Sequence, residues 1–365
     1  MGGPRVVVRA PSPHDGARLA DLWRLLWDVH ESWGSYPGSR DDKVYKDLGL
    51  RLSEEARARG PLPLSGRHVH LVATLEDGLD GGPCVDADRP EVAADIIGQV
   101  EGWLDRHGSD PRTKWTCEVR SLVVSEETRH VGAARALLKA LGKVTREALH
   151  GTPAVLAAEV LEENPAMAFY LKLGFFTPAY SVRLRTARAQ DVVVPPSHLA
   201  RLAVPEDALA LTFLEANLAE RRRLSRDERF DRPRALDASL VDAIAIHLAT
   251  VRRTRGTNGD PAELVVVDRH NVPRASATLA FAPLEPPFLP GVRAILSRAS
   301  IDATTPANAV MPCLVRLAGR MSRLAGAEHL EVVDLPAPGS VLHAAVLAVG
   351  ATPWSRVALR DVSLP

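Results

Sequence analysis

The feature that most constrains this chain is a restart. Residues 5–9 (Arg-Val-Val-Val-Arg) read as a short strand, followed by a Pro13-His14-Asp15 turn and an apolar-periodic helix from about Gly16 to Glu31. After Pro195-Pro196, which makes a natural linker, the order begins again: Ala200–Val204, then Pro205-Glu206-Asp207, then another apolar-periodic helix. Similar element order at a separation near 180 residues predicts a tandem duplication, although residue identity between the halves is low. The 365-residue length accommodates two domains. The expected division is residues 1–188, a linker over 189–197, and residues 198–365.

The strands and helices of the first half follow from periodicity and breakers. A second helix covers Asp42 to Arg59, and strands cover His68–Leu75 and Ile96–Leu104 around a Gly/Asp/Pro-rich loop at 76–90. Trp115–Val124 is a strong strand in which Glu118, Arg120 and Leu122 alternate with Val119, Ser121 and Val123. A helix over Val131–Ala148 follows, then a strand at Ala154–Val160, a helix over Pro165–Leu173 ended by Gly174, and a strand at Ser181–Thr186. The second half predicts a hairpin of Leu264–Asp268 and Ala275–Phe281 around Asn271. It continues with a strand at Val292–Ile301, a helix at Val310–Ala325 and a strand at Leu330–Asp334. A helix at Val341–Val349 and a strand at Arg356–Leu359 close it. The fold class is therefore mixed α/β (α+β), a mostly antiparallel sheet flanked by helices, in two tandem copies.

Charge narrows the function. The 45 Lys and Arg balance 45 Asp and Glu, and residues 1–190 hold 25 basic against 26 acidic residues. Neither half has the basic excess on which general nucleic-acid or membrane-surface binding rests. Cys84, Cys117 and Cys313 form no metal spacing, and the histidines form none either, so no metal is expected. Free thiols, the lack of a long apolar run and an N-terminus without a secretory pattern predict a cytoplasmic location.

The informative stretch is Lys114 to Phe176. Strand 118–124 runs into Ser-Glu-Glu-Thr and then Arg-His-Val-Gly-Ala-Ala-Arg (129–135) at the head of a helix. Such a turn exposes backbone N–H groups at the positive end of a helix dipole and is an anion site. Gly132, Ala133 and Ala134 allow close approach of a phosphate, and Arg129, His130 and Arg135 flank it. Asn164-Pro-Ala-Met-Ala-Phe-Tyr-Leu-Lys-Leu-Gly-Phe175 follows the next strand. Together these resemble the two signature motifs of the Gcn5-related N-acetyltransferase (GNAT) superfamily, through Arg129-x-x-Gly132-x-Ala134 and through Asn164, Ala168, Phe169, Tyr170, Gly174 and Phe175. The resemblance covers roughly residues 5–186 and is specific within 115–176.

The resemblance implies acetyl-CoA or another acyl-CoA as co-substrate, its pyrophosphate cradled by Arg129, His130, Val131, Gly132, Ala133, Ala134 and Arg135. It implies that the backbone of Leu122, Val123 and Val124 pairs with the pantetheine arm and polarises the thioester carbonyl, and that Asn164 contacts the arm. Asn164 is also a candidate helix cap. Tyr170 would protonate the leaving thiolate, and Glu118, eleven residues before Arg129, would serve as general base. For Glu118 the alternative is a strand residue paired with Arg120. The loop at 32–40 shapes the acceptor pocket in this family, so Glu31, Trp33 and Tyr36 are candidate acceptor contacts. Trp23 and Trp27, at helical spacing, are expected in the core. The run Glu220–Arg232 is expected to be a solvated helix end.

The reaction expected is direct transfer of an acetyl group to a primary amine of a small molecule. The alternatives are a protein or peptide acceptor, a non-catalytic acyl-CoA sensor, and a member that uses another acyl donor or performs decarboxylation. Expected partners are the amine acceptor alone, with no nucleic acid or membrane, in a monomer holding an internal pseudo-dimer or in a homodimer. The second half lacks both motifs. Pro306, Met311 and Pro312 stand where glycine and small residues should be, which predicts a degenerate copy that closes one side of the acceptor pocket.

Overall fold

The computed structural model describes residues 5–76, 96–106, 114–229, 240–254, 261–284 and 287–362. The expected loop at 76–90 and Cys84 lie mostly or wholly outside these. The first half comprises β1 (Arg5–Arg9), α1 (Gly16–Ser32), α2 (Asp42–Arg59), β2 (Leu64–Ser65), β3 (His68–Glu76), β4 (Ile96–Asp105) and β5 (Trp115–Val124). It continues with α3 (Ala133–Ala148), β6 (Ala154–Leu161), α4 (Ala166–Lys172) and β7 (Phe176–Arg185). The second half repeats the order: β8 (His198–Leu202), α5 (Ala208–Leu224), α6 (Leu240–Thr254), β9 (Ala262–Asp268), β10 (Pro273–Pro283) and β11 (Val292–Ile301). Then come α7 (Ala307–Leu324), β12 (His329–Leu335), α8 (Val341–Leu347) and β13 (Thr352–Asp361).

The duplication is visible atom by atom at the start of each copy. Arg9 donates from Nη1 and Nη2 to Asp15 at 2.7 and 3.1 Å, and the backbone N–H of Ser12 donates to the same carboxylate at 2.6 Å. In the second copy Arg201 grips Asp207 at 2.7 and 2.9 Å, and the N–H of Val204 donates to it at 2.8 Å. Both carboxylates are buried. The bidentate arginine and the backbone donor satisfy them and tie strand to helix.

The two copies share one sheet, ordered β1-β3-β4-β5-β6-β13-β7-β12-β11-β10-β9-β8. The final strands are exchanged. β13 from the end of the chain lies antiparallel to β6 from Ser355↔Leu161 to Asp361↔Val155, and β7 lies antiparallel to β12 from His329↔Arg185 to Leu335↔Tyr180. β7 and β13 pair with each other at the centre, Thr352↔Arg183 to Leu359↔Phe176. β7 also starts five residues earlier than the expected Ser181, at Phe176.

Helices cover both faces. α3 buries Leu137, Leu138 and Leu141 against Cys117, Leu156 and Ala158, whereas α1 buries Leu19 and Leu22 against Val72, Ile96 and Val123. A β-bulge between Glu101↔Ser121 and Gly102↔Val119 puts an extra residue, Arg120, into β5. The expected alternation therefore changes phase: Cys117, Val119, Leu122 and Val124 join the α3 side, and Val123 joins the α1 side. The expected solvated end at 220–232 is corrected by burial of Arg222 and Asp227. There Arg222 and Arg229 reach Asp334 at 3.4 and 2.9 Å, and Arg229 reaches Asp227 at 2.7 Å.

Two outcomes test this fold. Truncation after Gly350 leaves the first 188 residues intact but removes β13 from between β6 and β7; the N-terminal half should then lose soluble expression and its cooperative melt. Separately, burial raises the Glu263 carboxyl to about 7 from an ordinary 4.5. A folded state that holds the proton more tightly loses stability as pH rises through that interval. The melting temperature of Glu263→Gln relative to wild type should therefore climb from pH 4.5 to 7 and level off above it.

Candidate active site

β5 and β6 run parallel with registered pairs from Trp115↔Ala154 to Val119↔Ala158 and no further among the described residues. Beyond the bulge, residues 121–124 of β5 stay paired to β4 on one side, and Glu159, Val160 and Leu161 of β6 stay paired to β13 on the other. The facing edges of the two strands thus carry backbone N–H and C=O groups with no ladder between them. An extended chain with amide groups fits such an opening.

At the end of β5 the chain makes a 3-10 turn over Glu126–Val131 and reaches Gly132 at φ +85°, ψ 11° before α3 begins. The expected helix start at Val131 is therefore two residues early, and α3 opens at Ala133. The left-handed backbone at Gly132 needs glycine, and an added Cβ there would meet open space. Ser125 and Thr128 brace the turn through their hydroxyls at 2.6 Å, and the Ser125 N–H donates to Ile97 O at 2.7 Å. Arg129 lies 3.6 Å from Glu126 and both are exposed; His130 and Arg135 also line this turn, beside Ala134 in the first turn of α3. The first-turn N–H groups of a helix lack helical partners, so this corner offers backbone donors and the positive end of a helix dipole, with Arg129 and Arg135 nearby in sequence. The residues present fit a pyrophosphate.

The second copy shows what is missing when this turn is lost. Eight residues (125–132) separate β5 from α3, and five (302–306) separate β11 from α7. Where the first copy has Ser125, the second has Asp302, whose carboxylate accepts from Thr304 and Thr305 at 2.6 and 3.0 Å and from Arg274 at 3.3 Å. The shorter turn has no left-handed glycine before its helix. Pro306 and Met311 stand, as expected, without a glycine beside them. Pro312 lies past the first turn of α7, inside the helix. It costs a helical hydrogen bond there and takes no donor from the turn itself.

Tyr170 lies on α4 with its ring buried against Phe169 and Phe175, at centroid distances of 5.7 and 5.1 Å. Burial pushes its phenol well above the ordinary value, so it remains protonated at neutral and mildly alkaline pH. Asn164, one residue before the Pro165 N-cap of α4, accepts at Oδ1 from the Ala166 N–H at 2.8 Å. Glu118, on β5 opposite Trp103, is 38% exposed and lies 3.6 Å from Arg120, whose guanidinium stacks over the Trp103 ring.

The loop after α1 is held by the second copy and by β7. Tyr36 donates to Glu331 at 2.7 Å, Arg183 stacks on the Tyr36 ring at 4.3 Å and donates to Gly34 O at 2.8 Å, and Gly38 bridges Phe288. Glu31 accepts from Arg40 at 3.0 Å and from the Gly38 N–H at 3.2 Å, while Trp33 ends α1 with its ring on His30. Glu31, Trp33 and Tyr36 are thus brought together by holding the loop. Trp27 packs on Trp23 and on Phe288, at 5.5 and 4.3 Å.

Sequence reading missed a buried polar group beside the bulge: Glu101, His68, His70 and Trp23. Its signal was available in His-Val-His (68–70) and Gln-Val-Glu (99–101), polar residues at strand spacing in apolar segments. Among the described residues no group of three or more His, Cys, Asp or Glu could hold a metal ion, and no helix is long and apolar enough to cross a membrane.

The comparisons with known proteins agree with this geometry. Residues 52–175 match the family model described as the acetyltransferase (GNAT) family. A GCN5-related N-acetyltransferase from Sphaerobacter thermophilus aligns over 98% of this chain and 96% of its own at 12% identity and a TM-score of 0.51. A glucosamine N-acetyltransferase region of a fungal multi-domain β-N-acetylglucosaminidase aligns over 99% of this chain and 38% of that one, at 13% identity and a TM-score of 0.53. No curated protein matches the sequence. Residues 52–175 carry the sequence pattern of the GNAT family, and the whole chain shares the fold of these acetyltransferase structures. That fold implies acyl transfer from acyl-CoA.

Gly132→Val tests the turn. Its cost to the apo protein should stay near the 1–2 kcal/mol of a strained left-handed residue, while stabilisation by acetyl-CoA in a thermal melt should disappear.

Proposed function

We propose that this protein is an acetyl-CoA-dependent N-acetyltransferase acting on a primary amine of a small molecule. The observation that carries the reading is the αL glycine turn at the head of α3, placed beside the unpaired edges of β5 and β6. In this reading residues 1–188 form the catalytic unit, 189–197 the connector and 198–365 a supporting copy that binds no acyl-CoA. The turn from Arg129 to Arg135 holds the pyrophosphate, residues 122–124 hold the pantetheine arm through their backbone, and Asn164 lies along that arm. The thioester supplies an activated acyl carbon. The chain's own contribution is to orient the amine, accept its proton and return one to sulfur.

Tyr170, kept protonated by burial, donates to the leaving thiolate. Glu118 is the carboxylate that the family resemblance offers as base. Support for a small acceptor comes from the loop at 33–41: its clamp on Glu331, Arg183 and Phe288 favours a walled pocket over an open peptide groove. Glu31, Trp33 and Tyr36 set that wall. The joined sheet supports a monomer with an internal pseudo-dimer, and the expected location is the cytoplasm.

Acetyl-CoA at 100 times its Kd should stabilise the native protein by about 2.7 kcal/mol, read as a rise in melting temperature. An unchanged melt at millimolar acetyl-CoA rejects the proposal. Tyr170→Phe should keep that shift and lower amine-dependent CoA release by roughly 10–100-fold, within the range of general acid catalysis. A sensor would keep its cellular function in that variant.

A further inference from the structure

β6 is an interior strand, with β5 on one side and β13 on the other. Seven of its eight residues are buried, and one, Glu159, is exposed. An exposed side chain in an interior strand marks a place that no helix or loop covers. Glu159 is also the first residue of β6 beyond the last registered pair with β5, Val119↔Ala158. Alternation puts it on the face of Val155 and Ala157, opposite Leu156, Ala158 and Val160, which pack with α3. The carboxylate therefore stands where the two strands separate, on the face away from α3. Glu118 lies further back, registered with Ala157 inside the paired segment.

Two residues from the C-terminal half hold Glu159. Ser355 of β13, itself buried, donates from Oγ to Glu159 Oε1 at 2.6 Å. Arg293 of β11 places Nη2 at 3.5 Å from Glu159 Oε2. The stronger tie of Arg293 is to another acid. Its Nε and Nη2 donate to Glu331 Oε2 at 2.8 and 2.6 Å, and the buried Glu331 takes the Tyr36 hydroxyl on its other oxygen at 2.7 Å. This chain of contacts joins Glu159 to the clamped loop after α1, so both lie on one side of the sheet.

Among the described residues Glu159 Oε2 accepts no hydrogen bond, and the side chain is 44% exposed. One oxygen is pinned, and the other keeps its lone pairs open. A primary amine with a pKa near that of lysine, about 10.4, reaches a protein at neutral pH as an ammonium and brings N–H donors that need acceptors. A carboxylate already fixed by a buried hydroxyl loses less side-chain freedom on meeting it than a free one does.

We propose that Glu159 is the residue that holds the acceptor's ammonium where β5 and β6 part, with Ser355 and Arg293 as positioning residues; the proposal rests on the acyl-transfer reading above. An ammonium N–H donates to Oε2 while Ser355 keeps Oε1 in place. The site then selects cationic amines over neutral or acidic acceptors, and it does so with two residues that only the C-terminal half supplies. Glu159 acts on binding; the proton transfers assigned to Glu118 and Tyr170 are separate from it.

The test compares wild type, Glu159→Gln, Glu159→Asp, Ser355→Ala and Glu118→Gln. CoA release is measured with acetyl-CoA and putrescine, glucosamine, tryptamine or kanamycin, using the fastest acceptor. In Glu159→Gln the KM for the amine should rise about tenfold, the order of one hydrogen bond to a charged group. Its kcat should stay within about threefold, and the acetyl-CoA melting shift should be unchanged. Raising salt from about 0.05 to about 0.5 M should raise the amine KM of wild type, because a partly exposed ion pair is screened, and leave that of Glu159→Gln flat. Ser355→Ala and Glu159→Asp keep the charge and disturb its place, so both should raise the KM and retain the salt dependence. A merely structural Glu159 would leave the salt dependence in Glu159→Gln. The proposal is overturned if Glu159→Gln keeps the wild-type amine KM and salt dependence, or if Glu118→Gln alone changes them. Should Glu159→Gln fail to fold, an unchanged amine KM in Glu159→Asp overturns it. A wild type that acetyl-CoA does not stabilise rejects the acyl-transfer reading instead. A stabilised wild type that turns over none of the amines rejects the role of Glu159 together with the small-amine acceptor.

Discussion

Backbone pairing between the exchanged strands holds this molecule together. A strand edge with unpaired N–H and C=O groups must find a partner, water or another chain. Here β6 finds its partner in β13, almost two hundred residues away, and β12 finds its partner in β7. The two copies are therefore a single hydrogen-bonded object. The loop after α1 can lie across Phe288, Glu331 and Arg183 because the continuous sheet fixes where those residues stand.

Duplication leaves two equivalent scaffolds, and small local differences separate their chemistry. The Arg9–Asp15 clamp has its counterpart in Arg201–Asp207, so the framework of both copies is maintained by the same interaction. The turns that follow β5 and β11 are not equivalent. One is long, holds a glycine in the left-handed region and is braced by two hydroxyls; the other is three residues shorter (8 against 5) and organised by Asp302. Turn length and a left-handed glycine are what distinguish the two corners. The second copy then contributes Glu331 and Phe288 to the clamp on the loop after α1, beside Arg183 of the first copy's own β7.

Much of this was legible in the residues. α2 falls on Asp42–Arg59 and β5 on Trp115–Val124, both as expected. The glycine turn was legible because left-handed backbone has few residues to choose from. Other features had no local signature. The bulge at Arg120 follows from pairing with β4, so the face assigned to Leu122 by alternation was reversed. The arginine run after α5 looks like solvated surface in one dimension, yet Arg222 and Arg229 close on Asp334, over a hundred residues away. Glu101 was overlooked because a lone acid in a strand has no meaning until His68, His70 and Trp23 surround it.

By itself, the sequence determined the succession of strands and helices, the repeat, and the turn that can receive a phosphate, since each depends on side-chain periodicity or on conformations within a few residues. Tertiary structure decided which strand completes which sheet, which side chains hold the loop after α1, and where a carboxylate can stay ionised in the interior. Those properties belong to groups far apart in the chain, and their energies depend on burial and pairing that exist only after the two copies have closed on each other.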